Sequence, residues 1–236
     1  MRVAALYDVH GNLPALEAVL AEVDEERVDA IVSGGDVLWG PSQAECMALL
    51  RDAGVLFLSG NCERDVLEGR SDSARWCRDR LTREERELVA AWPSTLELGV
   101  EGLGRVLVCH ASPRSDEENL THLTSDDNLE AALADVDADV IVGGHTHVQL
   151  DRNLPGGRRL INAGSVGLPC QGAAGAFWAV LGPDVELRRT EYDIERALVL
   201  LHASAFPRAD AFEDLIRGDV RADSATAYFE AKQRAA

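Results

Sequence analysis

Five short apolar runs, each ending in residues that can bind a metal, constrain this chain more than any other feature. The runs Val3 to Tyr7, Ala30 to Ser33, Val55 to Ser59, Val106 to Cys109 and Val140 to Val142 are rich in Val, Ile and Leu, which reads as strands buried on both faces. Segments of helical period lie between the early ones, with Leu13, Leu16, Val19, Leu20 and Val23, then Cys46, Met47, Leu49 and Leu50. Such helices cover the faces of a mostly parallel sheet. Two stretches depart from this βαβ pattern. Thr95 to Val100 with Arg105 to Cys109, and Ala176 to Leu181 with Val185 to Tyr192, read as antiparallel hairpins. A second sheet packed on the first follows, so the expected fold is α/β, a four-layer αββα sandwich of two mixed sheets flanked by helices. Arg75 to Ala91 reads as a covering helical insertion. From Asp193 the pattern is helical and increasingly polar, and residues 220–236 read as a frayed tail. No segment reads as an interdomain linker, so one domain over residues 1–236 is expected.

The residues closing the runs carry the chemistry. The first run ends in Asp8-Val9-His10-Gly11-Asn12, the second in Gly34-Gly35-Asp36 and the third in Gly60-Asn61-Cys62-Glu63-Arg64. The fourth ends in His110 and the fifth in Gly143-Gly144-His145-Thr146-His147. In an open α/β sheet the carboxyl ends of neighbouring strands converge on one crevice, so these groups meet in space. Asp8 and His10, like His145 and His147, are two apart and project to one side of extended chain. The glycines before Asp36, Asn61 and His145 suit tight turns of positive φ. Carboxylate plus imidazole without thiolate suits manganese, iron, cobalt, nickel or zinc. Four His, two Asp and one Asn exceed the needs of one ion, and two metals sharing a carboxylate account for the surplus, the apparatus of in-line attack at phosphorus.

Composition narrows the substrate. A formal net charge of -18 repels polyanions, and no basic stripe is present to bind long nucleic acid. A small phosphorylated substrate, met by bound cations, fits better. The five cysteines form no Cys-x-x-Cys pair, which argues for a reducing compartment. With neither a signal-peptide pattern nor an apolar run of membrane-spanning length, a cytoplasmic protein without membrane contact is expected. Hairpin edges and the helical insertion leave room for a homo-oligomer.

The ordered blocks Asp-x-His, Gly-Asp, Gly-Asn, His and Gly-His-x-His resemble those of the calcineurin-like metallophosphoesterase superfamily. The text Asp8-Val9-His10-Gly11-Asn12-Leu13-Pro14, His110-Ala111-Ser112-Pro113-Arg114 and Asn162-Ala163-Gly164-Ser165-Val166-Gly167 is similar to its small bacterial and archaeal, phosphodiesterase-like branch. The resemblance runs to about Tyr192-Asp193. It implies that Asp8, His10, Asp36 and His147 hold one metal and that Asp36, Asn61, His110 and His145 hold the other, Asp36 bridging. It further implies two divalent ions, manganese first, and a hydroxide held between them that attacks phosphorus. Asp36, Asn61 and His110 are then catalytic as well as ligating.

One position departs from the family pattern. Many relatives carry His after the Gly-Asn, to protonate the leaving group, where this chain has Cys62. An ordinary thiol is a poor general acid near neutrality, so good leaving groups are preferred or the acid comes from elsewhere, with His122 a candidate. Arg64 suits a phosphate clamp or an ion pair with an acidic neighbour. Asn12 suits a substrate contact or, more in keeping with its place, a cap on the helix starting near Leu13. Gly164 to Gly167 reads as a turn lining the cleft. The expected function is hydrolysis of a phosphodiester or phosphomonoester. Two alternatives are a catalytically weak metal-binding scaffold for partner proteins, as in the family's retromer-subunit relatives, and a protein phosphatase.

Overall fold

The structure is a computed structural model and describes residues 1–235. Alternation along the strands builds its layers. In β1 (Val3–Leu6) Val3 and Ala5 point one way and Ala4 and Leu6 the other, and all four are buried. Side chains alternate faces in a strand, so a strand buried on both sides needs a partner layer on each. β1 pairs in parallel with β2 (Ala30–Ser33), and β2 with β3 (Leu56–Phe57). On the other edge of β1 the hairpin of β9 (Ala176–Leu181) and β10 (Val185–Thr190) adds antiparallel strands, giving the order β10-β9-β1-β2-β3.

The second sheet repeats the plan. β5 (Gly104–Cys109), β6 (Val140–Gly143) and β8 (Arg159–Asn162) run parallel, flanked by the antiparallel strands β4 (Thr95–Val100) and β7 (Leu150–Asn153). Val3 and Ala5 meet Val106, Val108, Val140, Val142 and Ile161 between the sheets. Ala4 and Leu6 pack instead under helices α1 (Leu13–Glu26), α2 (Gln43–Asp52) and α7 (Ile194–Ala203) through Leu16, Met47 and Leu198. Ile141 and Leu160, on the far face of the second sheet, pack on Leu129 of α6 (Asp126–Ala132). The layers are helix, sheet, sheet and helix, as expected.

Four segments differ from the sequence reading. β3 is only two residues long because it lies on a sheet edge with Leu56 42% exposed, unlike the other ligand-bearing runs. Arg75 to Ala91 is not one helix. It divides into the end of α4 (Asp72–Arg78) and α5 (Arg83–Ala90), because Thr82 forms a capping box with Glu85 and starts a new helix. The β7–β8 hairpin was not expected, its strands being four residues each and largely polar on one face. The tail read as frayed is a helix, α9 (Ala222–Ala235), which follows α8 (Ala209–Arg217). It buries Ala225 and Thr226, and Glu230 accepts hydrogen bonds from the Thr121 and Thr124 hydroxyls. Tertiary anchors of this kind override a polar local composition.

Candidate metal centre

Every candidate ligand block lies past the carboxyl end of a parallel strand, and backbone hydrogen bonds tie the Asp8 segment to the Asp36 segment and the His110 segment to the His145 segment. Asp8 N–H donates to the Gly35 carbonyl at 3.1 Å, His10 N–H to Asp36 at 2.9 Å and Gly144 N–H to His110 at 2.7 Å. The sheets are joined at the same level, His145 N–H donating to Asp8 Oδ2 at 2.9 Å and the Tyr7 hydroxyl to the Val142 carbonyl at 2.9 Å.

Asp8 and His10, and His145 and His147, are not on extended chain. All four, with Asp36, have φ between 47° and 65°, a region that costs a residue with a side chain roughly 1 kcal/mol or more. The preceding glycines do only part of what was expected of them. Gly35 has φ 100°, but Gly60 sits at φ -107° and Gly144 has no positive φ. Those two supply space: a Cβ on Gly60 would come within 2.3 Å of Asp36 Oδ1, and one on Gly144 within 2.5 Å of Asp8 Oδ2.

The seven side chains named as ligands converge. His147 Nε2 is 3.3 Å from Asp8 Oδ1 and 3.2 Å from His10 Nε2. His110 Nε2 is 3.5 Å from Asp36 Oδ1, while Asp36 Oδ2 is 3.8 Å from His10 Nε2. Asn61 Oδ1 stands 3.0 Å from His110 Nε2 and 2.9 Å from His145 Nδ1. Turned over, the same amide would donate to both imidazoles, whereas oxygen inward suits a cation.

The donor set fits divalent metal. Asp8 Oδ1 and His145 Nε2 are buried with no hydrogen-bond partner, and the facing nitrogens of His10 and His147 present lone pairs to each other unless a proton or a cation intervenes. The outer nitrogens of three imidazoles are already occupied. Nδ1 of His10 donates to the Trp39 carbonyl at 3.2 Å, that of His110 to Gly34 at 2.9 Å and that of His147 to Leu168 at 2.6 Å. Each bond fixes the ring and leaves Nε2 directed inward, as imidazole ligands require. Ligand atoms of Asp8, His10 and His147 form one close group, and those of Asp36, His110 and His145 another.

Electrostatics follow from burial and pairing. Burial pushes His10 down to about 4 and His145 to about 3, leaving both neutral. Burial also opposes charge on His110, yet Asp36 raises it to about 10, and Asp8 raises His147 in the same way. Against burial, His147 and His110 in turn hold Asp8 and Asp36 below the usual carboxylate range. Metal binding at such carboxylate–imidazole pairs is coupled to release of the protons that they hold.

The residues named as substrate contacts are placed differently. Asn12 Oδ1 caps α1 on Ala15 N–H at 3.3 Å, and its Nδ2 donates to Gly167 at 2.9 Å. Arg64 is bound up in ion pairs with Asp116, Glu117 and Asp65. Cys62 is buried in α3 (Asn61–Glu68), its N–H donating to Asp36 Oδ1 at 2.8 Å, and burial beside Asp36 pushes the thiol well above its usual range. A cleft of about 340 Å³ reaches His110 past Ser59, Ser94, Ser112 and Ser115. His122 lines another cleft, with Thr146, Gln149 and Thr226.

Sequence reasoning missed the supports. Glu63 is wholly buried and accepts from the N–H groups of Asp36, Val37, Leu38 and Gly60 at 2.7 to 3.0 Å. Its signal was an acid at the third position of a helix, the capping-box place. Asn162 donates to the Gly144 carbonyl and to Thr146 Oγ1, and Ser165 donates to the Asp8 carbonyl.

Two mixed sheets whose strand ends gather carboxylates and inward-facing imidazoles define a metallophosphoesterase-type α/β protein. The chain belongs to the calcineurin-like phosphoesterase superfamily, whose domain matches residues 1–181. It is 28% identical over 224 residues to an uncharacterised protein of Methanocaldococcus jannaschii, covering 83% of this chain and 89% of that one. A metallophosphoesterase of Sphaerobacter thermophilus superimposes with a TM-score of 0.76 at 27% identity, over 92% of this chain and 100% of the other. A hypothetical protein of Pyrococcus horikoshii shares the fold, with a TM-score of 0.78 at 18% identity, over 94% and 99%. Among the described residues no helix is long and apolar enough to cross a membrane.

Proposed function

We propose that the protein is a two-metal hydrolase of small phosphate esters. Asp8, His10, Asp36 and His147 hold one divalent ion, Asp36, Asn61, His110 and His145 the other, and manganese is the first candidate. The observation that carries this reading is Asp36, whose Oδ1 faces His110 and whose Oδ2 faces His10, so that one carboxylate serves both halves. Bound there, two cations acidify water and neutralise charge on the phosphoryl oxygens.

The protein's own groups do the rest. Glu63 and Asn162 hold the loops bearing Asp36 and His145 at fixed distance. The cleft at His110 receives the ester's alcohol portion, and its serine hydroxyls favour a polar one. With Cys62 kept as a neutral thiol and His122 on another cleft, esters with good leaving groups suit the site. A single domain over residues 1–236 is part of this reading. The scaffold alternative is disfavoured because all seven ligands remain.

The test is turnover of an activated phosphodiester and the matching monoester by metal-stripped protein, with and without manganese, beside Asp36→Ala. Manganese-dependent turnover absent from Asp36→Ala is expected. Metal binding without turnover of either ester by any divalent ion would bring the scaffold reading forward.

A further inference from the structure

The imidazoles and carboxylates proposed as metal ligands are largely buried. Asp8, His10, Asp36, His110 and His145 are each at most 7% exposed. Part of the cover comes from helices beyond the segment that matches the family domain. The Phe229 ring of α9 lies 5.9 Å from the His145 ring, centroid to centroid, and the Phe212 ring of α8 stands edge-on to His10 at 6.2 Å. α9 is tied down away from the ligands. Glu230 accepts from Thr121 and Thr124, and Gln233 Oε1 accepts from the Asn119 N–H at 2.8 Å. The cleft at His110 is not lined by Phe229.

We infer that Phe229 is a specificity-determining residue that limits the site to phosphate esters with one bulky arm, an inference that rests on the phosphoesterase reading. The four oxygens of a phosphoryl centre point to the corners of a tetrahedron. A monoester held by the metal ligands can lay its single alcohol portion in the cleft at His110. A diester carries a second arm, which needs the space over His145 where Phe229 stands. Monoesters are therefore preferred over diesters with two large groups.

The test compares full-length, manganese-loaded wild type, Phe229→Ala and Glu230→Ala on p-nitrophenyl phosphate and bis(p-nitrophenyl) phosphate. Removing the ring should raise the diester-to-monoester ratio of kcat/KM about tenfold, the scale on which pocket contacts discriminate. Loosening the anchor through Glu230→Ala should move it in the same direction. Because both rates scale with the amount of folded enzyme, the ratio is independent of any loss of fold. A second readout needs no turnover: 4-(2-pyridylazo)resorcinol should strip zinc from separately prepared zinc-loaded variants faster than from zinc-loaded wild type. An unchanged ratio, or an unchanged stripping rate, overturns the role of Phe229 while leaving the phosphoesterase reading intact. If wild type turns over neither ester with manganese, zinc or nickel, the phosphoesterase reading fails and takes the substrate preference with it.

Discussion

Asn162 shows how a single side chain can shape the candidate metal site without being one of its proposed ligands. Its amide donates to the Gly144 carbonyl and to Thr146 Oγ1, and its Oδ1 accepts from Gly164 N–H at 2.9 Å, so it holds the turn from which His145 and His147 project. Asn162→Ala should lower manganese affinity or turnover by about 10–100-fold, the usual cost of losing an outer support. Titration calorimetry with manganese checks this, and an unchanged affinity together with unchanged turnover would show that the turn holds itself. The convergence of the seven candidate side chains was legible in the sequence because each pairs a metal-binding residue type with a strand end, and those signals are local. Asn162 opens the Asn-Ala-Gly-Ser-Val-Gly stretch, but its role depends on contacts across a turn that spacing does not encode. Arg64 and Asn12 were open choices on sequence, and neighbours decide them: three acids surround the one, and a helix start receives the other.

At the scale of elements, α3 is the joint between two ligand loops. Its third residue, Glu63, takes four backbone N–H groups from the Asp36 loop and the Gly60 cap, so a helix start fastens a strand exit. Burial beside Asp36 lifts this carboxyl to about 7, but the donors around it are what make it structural. Glu63→Ala strands those donors and should cost on the order of 3 kcal/mol, read as a lower urea midpoint at constant m-value. A loss below about 1 kcal/mol would mean that water replaces the carboxylate. The βαβ pattern and both flanking hairpins were legible because hydrophobic period and turn residues specify them. The split of α4 from α5 and the β7–β8 hairpin were not, since one turns on a single capping threonine and the other on strands of four residues. Helix α9 was misjudged because its burial comes from distant partners such as Thr121 and Asn119.

The whole molecule carries a net charge of -18, and two of its buried carboxylates, Asp8 and Asp36, each stand 3.8 Å from His10 Nε2. Cations that bind only the folded state raise stability by mass action, about 2.7 kcal/mol at a hundredfold excess over Kd. Manganese should accordingly raise the Tm of metal-stripped protein by several degrees, and Asp36→Ala should abolish most of the rise. A Tm indifferent to manganese in calorimetry would count against a metal held at this site. The left-handed backbone at Asp8, His10, Asp36, His145 and His147 has a different consequence, for descent rather than for chemistry. Glycine adopts such angles freely while alanine pays about 1 kcal/mol, so in metal-free protein His10→Gly should be as stable as His10→Ala or more so, despite glycine's larger entropy in the unfolded chain; a denaturation curve placing it lower would contradict this. Selection for robustness alone would thus reward drift of these five positions toward glycine, and a lineage that abandoned the metal would have an easy path to a sturdier, inert protein. This chain carries a non-glycine residue at all five positions.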